Sequence, residues 1–150
     1  MFELDAVTVG LVGTARIVVA AEHTAARVGS GVIAVLATPV MINLIEAAAL
    51  AAAEHLLPPG HQSLGTRLDV SHTAATPIGG LVTATARVTA VAGREVTFAV
   101  EARDDLEVIA QGVHTRVVVN VEKFENRVRR KANNLEAVLG ASLGRGARTT

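Results

Sequence analysis

The chain has 150 residues, and its 50% hydrophobic and 19% charged content excludes intrinsic disorder, which needs the opposite balance. Formal charge is zero and the aromatic residues are only Phe2, Phe98 and Phe124, so neither a polyanion-binding surface nor a base-stacking platform is expected, and no nucleic acid partner. Cysteine is absent, which excludes a disulfide framework, a thiolate nucleophile and a Cys-ligated metal, and suits a reducing, cytoplasmic compartment.

Val7 to Ala21 is rich in Val, Leu and Ile, and reads as a first strand made irregular by Gly10 and Gly13. His23 to Val35 has no clean period and reads as a loop or short helix that could cover something. Thr38-Pro39 is a helix start, with Thr38 as N-cap and Pro39 at the first helical position, where its missing N–H costs nothing. Ala and Leu then dominate to Leu57, and Pro58-Pro59-Gly60 ends the run. Asn43, Glu46 and Glu54 fall in one narrow stripe of this helix, so it should be buried on most other sides. A charge near a bilayer centre costs about 2.5–3.5 kcal/mol on insertion scales, so the helix is assigned to a soluble core, with no membrane partner.

Four alternating runs follow: Leu64 to Ala74, Leu81 to Ala92, Arg94 to Arg103 and Leu106 to Val121. The short turns that join the four, Thr76 to Gly80, Ala92-Gly93 and Asp104-Asp105, call for antiparallel neighbours. In the first run Leu64, Thr66, Leu68, Val70, His72 and Ala74 share one face; in the last, Gly112 is the expected bulge. After Val121 the period turns helical, with Phe124, Val128, Ala132, Leu135 and Leu139 on one side. Residues 1–139 are thus one domain, and 140–150, small and Gly-rich, a disordered tail. The fold class expected is α+β: a curved antiparallel sheet wrapped around a long central helix, with a C-terminal helix, which is the hotdog arrangement. Its exposed strand edge invites a second subunit.

Polar groups in apolar places carry the chemistry. Glu46 lies midway along the buried helix, and His72 on an apolar strand face; helix and next strand pack together, so the two could meet as a carboxylate–imidazole pair. Thr38, besides capping, stands where a helix N-terminus presents free N–H groups to a developing oxyanion. The remaining histidines show no metal-ligand spacing, so no metal is expected, and G-x-S-x-G is missing. The basic run Arg127 to Lys131 could hold coenzyme A phosphates or simply be a solvated face.

The stretches Ala37-Thr38 to Glu46, SLGTRLDVSHTAATPIG (Ser63 to Gly79) and HTRVVVNVEKFENRVRRK (His114 to Lys131) resemble the hotdog-fold acyl-CoA thioesterases of the fluoroacetyl-CoA thioesterase type. The resemblance places the family's catalytic threonine, glutamate and histidine on Thr38, Glu46 and His72, and implies roles for Gly65 and Arg116 beside the thioester and its water. It implies an acyl-CoA substrate attacked by Thr38 or by water, no cofactor beyond the coenzyme A of the substrate, and a homodimer with sites at the subunit interface. Two departures stand out. The segment Arg27 to Val35 lacks the aromatic residues of the fluoroacetyl-specific lid, and Pro39 replaces a small residue after the threonine, so a short or medium acyl-CoA is expected without strong fluorine selectivity. The rival readings are a hotdog enoyl-CoA hydratase or dehydratase and a non-catalytic acyl-CoA-binding module.

Overall fold

The computed structural model describes residues 3–146, with side chains through residue 142. Strand β1 (Val12–Val18) leads through a 3-10 turn (Ala21–His23) and a single helical turn, α1 (Ala25–Val28), into the long helix α2 (Thr38–Ala53). A second 3-10 turn (Glu54–Leu56) precedes β2 (His61–His72), β3 (Leu81–Ala92), β4 (Glu95–Arg103), β5 (Val108–Asn120) and helix α3 (Val121–Gly146). All five strands form one antiparallel sheet in the order β1-β3-β4-β5-β2.

Alternation in β3 and β4 builds the floor of the core. Val82, Ala84, Ala86 and Val88 point inward from β3, and Val96, Phe98, Val100 and Ala102 from β4. Met41, Leu44, Ile45, Ala48, Ala49 and Ala52 of α2 lie on them. With almost no aromatic side chains to fill space, the helix must come close to the sheet. At Gly13 of β1 a Cβ would stand 2.3 Å from the Ala48 carbonyl oxygen and 2.3 Å from the Ala52 nitrogen, so glycine is required by backbone contact.

The structure corrects several sequence expectations. The helix Thr38–Leu56 is long and apolar enough to pass for a membrane span, yet its inner side packs on β1, β3 and β4. It is not buried on most sides: Asn43, Ala47, Leu50 and Ala51 are exposed. Gly112 is not a bulge, since it pairs in register with Val100 and Val70; its missing Cβ lets the Asp69 backbone approach. The bulge near the site is instead in β2, where the register shifts between Gly65 and Arg67. A bulge reverses the facing of every residue beyond it. Ser63 therefore points inward before the shift and Val70 and His72 after it, and Leu64 does not share their face. The C-terminal helix does not stop at Leu139 as a disordered tail would require. It runs through Gly140 to Gly146, because isolated glycines cost only about 1 kcal/mol each against strong helix formers such as Leu, Ala and Arg. Residues 147–150 of the expected tail lie outside the described residues. Val128, Leu135 and Leu139 remain exposed, so the apolar row of α3 is unburied in the single chain.

The Gly13 contact generates a direct prediction. Gly13→Ala should force β1 from α2 and destabilise the fold by about 1–3 kcal/mol, the usual cost of overpacking. Chemical denaturation reads this out; an unchanged midpoint would contradict the close approach.

Candidate active site

Two groups of polar side chains hang from α2. The first is at its start. Ala37, in extended conformation, is the N-cap, and Thr38 is the first helical residue, one position later than expected. The shift matters, because an N-cap hydroxyl would be engaged by the backbone. The Thr38 hydroxyl instead meets Nδ1 of His72 at 2.7 Å. Both side chains line a cavity of about 300 Å³ whose wall includes Ala25, Ser30 and Val35 of the covering segment.

Burial lowers the pKa of His72 below its ordinary value, with the backbone of Ala74 pulling the other way. The ring is therefore neutral at pH 7 and able to take a proton from the hydroxyl. Its Nε2 is enclosed and without a hydrogen-bond partner. The expected row of free helix N–H groups is mostly absent. Pro39 has none, and Val40 and Met41 donate back to the Ala37 carbonyl, which leaves the Thr38 N–H.

The second group lies two turns along α2. One Glu46 carboxylate oxygen accepts from the Arg116 guanidinium at 3.0 Å. Arg116, on β5, is almost fully buried, and its other donors are also held: Nε gives to Ser63 Oγ at 2.7 Å and Nη2 to the Ser63 carbonyl at 3.0 Å. Ser63 is fixed in turn by Glu54, whose carboxylate accepts from its N–H at 2.8 Å and from its hydroxyl at 2.5 Å. His114, wholly buried, approaches the Glu46 carboxylate at 4.0 Å. It is no ion-pair partner. Its Nδ1 lies 2.8 Å from the Arg67 carbonyl and so donates, which leaves Nε2 to accept from Arg116 at 3.2 Å. Burial, the leading cause, lowers the His114 pKa; the Arg67 carbonyl opposes this, the Arg116 charge adds to it, and Glu46 opposes it. Gly65, paired with Arg116 across the ladder, leaves room for the carboxylate: a Cβ there would sit 2.4 Å from the Glu46 oxygen.

The structure thus brings together Thr38 with His72, and Glu46 with Arg116 and Gly65. It does not join Glu46 to His72: Arg116 is the hydrogen-bond partner of the one and Thr38 of the other. Eight residues of helix separate Thr38 from Glu46, about 12 Å along the axis. Sequence reasoning missed His114, Ser63 and Glu54. Glu54 shares the stripe of Glu46, and His114 alternates with Arg116, which is the signal that was available. Among the described residues no group of acidic or histidine side chains is arranged to hold a metal ion.

The chain as a whole is similar to known proteins. The model of a family described as fluoroacetyl-CoA-specific thioesterase matches residues 19–122. A fluoroacetyl-CoA thioesterase of Streptantibioticus cattleyicolor is 45% identical over 97 residues, 65% of this chain and 70% of that protein. A solved structure of a fluoroacetyl-CoA thioesterase superposes with a TM-score of 0.79 at 38% identity, covering 83% of this chain and 97% of that one. A thioesterase superfamily member from Thermus thermophilus gives 0.81 at 27% identity, covering 87% and 96%.

Two predictions follow from the site. His72→Ala and Glu46→Gln should each lower turnover by about 10²–10⁴, the range for a positioned acid–base group, with the fold retained by circular dichroism. Near-normal turnover in either variant would make that residue structural. With His72 acting as a neutral base, kcat/KM should be flat through neutrality and fall only below pH 6.5, the ordinary histidine value. An acid limb centred above 6.5 would contradict the burial of the ring.

Proposed function

The chain belongs to the fluoroacetyl-CoA-specific thioesterase family and is an acyl-CoA thioester hydrolase, and we propose that its catalytic centre is assembled from both groups on α2, each supplied by a different subunit of a homodimer. The observation that carries the chemistry is the 2.7 Å contact between Thr38 and a neutral His72. His72 takes the proton as oxygen attacks the thioester carbonyl, either from Thr38 itself or from a water in its place. The C–S bond then breaks, and the proton passes to the departing coenzyme A thiolate. In the first route a water afterwards releases the acid from Thr38.

Assembly is supported by what the single chain leaves open. β2 is a sheet edge with one side of its ladder unpaired. Leu64 and Leu68 on β2 and Leu50 on α2 are about 40% exposed, a set of apolar groups that a second copy would cover. In one chain Gly65 and His72 stand seven residues apart on β2, about 23 Å at strand rise. Antiparallel pairing of two β2 edges about a two-fold axis near Leu68 and Asp69 sets His72 of each subunit opposite Gly65 of the other. Such isologous pairing is the common form of dimer. It carries the Thr38–His72 pair toward the partner's carboxylate, which then stands beside the reacting carbonyl or its water.

The substrate we assign is a short or medium acyl-CoA. The segment over Thr38 is aliphatic, and Val32 and Ile33 in it are largely exposed. Small differences in an apolar pocket discriminate by only about 1–3 kcal/mol.

Two measurements test this reading. Thr38→Ala should depress thiol release from acetyl-CoA by about 10²–10⁴; a hydratase using the same fold would tolerate the change. Fluoroacetyl-CoA and acetyl-CoA should then be compared by kcat/KM. A preference for the fluorinated substrate above about 10⁴ would exceed what an aliphatic lid can supply and overturn the substrate assignment.

A further inference from the structure

Neither group on α2 uses the basic residues at the other end of the sheet. From Arg127 to the end of the chain there are six basic residues against one acid, in a protein with zero net charge. The structure places part of this excess around a cavity of about 730 Å³ between α3, the end of β5 and the turn joining β3 to β4. Lys123, Asn126, Arg127 and Arg130 are spaced at 3, 4 and 7 residues from the first, so they occupy one face of α3. Arg94, in the β3–β4 turn, faces them across the cavity, and no carboxylate lines it. Among the described residues none of Arg94, Lys123, Arg127 or Arg130 is in an ion pair. The Arg127 guanidinium is held over the Phe124 ring, 5.7 Å from its centroid. Four cations converging on a cavity with no acid to neutralise them repel one another, and an anion relieves that repulsion.

We propose that this cavity is the subsite for the phosphate groups of the coenzyme A moiety, bound through Arg94, Lys123, Arg127 and Arg130. The proposal rests on the acyl-CoA reading above and adds the site that holds the nucleotide end of the substrate. Its position suits that task. Asn120 at the cavity lies four residues beyond Arg116 on β5, about 13 Å at strand rise. The pantetheine arm spans the gap between a thioester near Gly65 and phosphates at α3. Guanidinium groups form charge-assisted, often bidentate, hydrogen bonds to phosphate oxygens, which is the chemistry that three arginines supply here.

The test compares acetyl-CoA, acetyl-dephospho-CoA and acetyl-pantetheine on the wild type and on an Arg127→Gln/Arg130→Gln double variant. Both positions are exposed on α3, so the fold does not depend on them. The double variant should lower kcat/KM for acetyl-CoA relative to acetyl-pantetheine at least tenfold, chiefly through KM. Arg103→Gln, at the opposite end of β4, controls for net charge and should leave that ratio within twofold. If the penalty persists with acetyl-dephospho-CoA, the diphosphate is the group held; if it vanishes there, the 3′-phosphate is. Calorimetric titration with free coenzyme A reads the same site without turnover, and the double variant should bind at least tenfold more weakly. A protein that binds coenzyme A through these residues yet releases no thiol would keep the subsite and remove the Thr38–His72 mechanism. Unchanged coenzyme A affinity in the double variant, or an equal loss on acetyl-pantetheine, would overturn the subsite.

Discussion

The close packing of α2 on the sheet is the constraint from which the rest follows. A core in which Phe98 is the one buried phenylalanine among the described residues cannot hold helix and sheet apart, so Ala48, Ala49 and Ala52 let α2 settle against β1 until Gly13 touches its backbone. Both groups of the candidate site are attached to this single helix. Thr38 begins it, Glu46 projects two turns later, and Glu54 closes its C-terminal end against Ser63. Interiors packed this closely do not deform continuously. The spacing between hydroxyl and carboxylate is therefore fixed by the helix, and the strands need only bring His72 and Arg116 to meet them.

The two groups handle charge in different ways. At Thr38 and His72 everything is neutral, which suits a hydroxyl that must lose its proton at the moment of attack. At Glu46 a formal ion pair is embedded in a chain of hydrogen bonds running from Glu54 through Ser63 and Arg116. A buried guanidinium is costly unless its donors are satisfied, and here Ser63, Glu46 and His114 satisfy them. His114 contributes by staying neutral. Were it protonated, it could not accept from Arg116, and two cations would share one half-buried carboxylate. Arg116 is consequently a residue that positions Glu46, and Gly65 one that leaves the carboxylate its space.

Much of the fold was legible because its signals are local. The alternation in β3 and β4 named the inward residues correctly, and the change of period at Val121 marked the start of α3. What failed was non-local or one residue fine. A bulge at Thr66 leaves no mark in an alternating sequence, yet it decides which side of β2 faces Arg116. The expected N-cap, Thr38, lies one residue past the actual one, Ala37, because Thr38 is itself a good cap, and only tertiary contact with His72 shows its hydroxyl engaged elsewhere. Thr38, Glu46 and His72 were legible as residues through their apolar settings and the family resemblance, but the pairing was not. Glu46 was matched with His72 because helix and next strand are neighbours in sequence, whereas its partner Arg116 comes from β5, 70 residues away.

The central claim is that one working centre takes Thr38 and His72 from one subunit and Glu46 from the other. Mixing two inactive variants tests it most directly. Thr38→Ala and Glu46→Gln are unfolded together, refolded as a mixture, and assayed for thiol release from acetyl-CoA. Random pairing gives heterodimers as half of the dimers, and each has one centre with both residues intact, so activity should return to about a quarter of the wild-type level. If both residues act within a single chain, every centre in the mixture remains defective, and activity no greater than that of the separate variants would contradict the account.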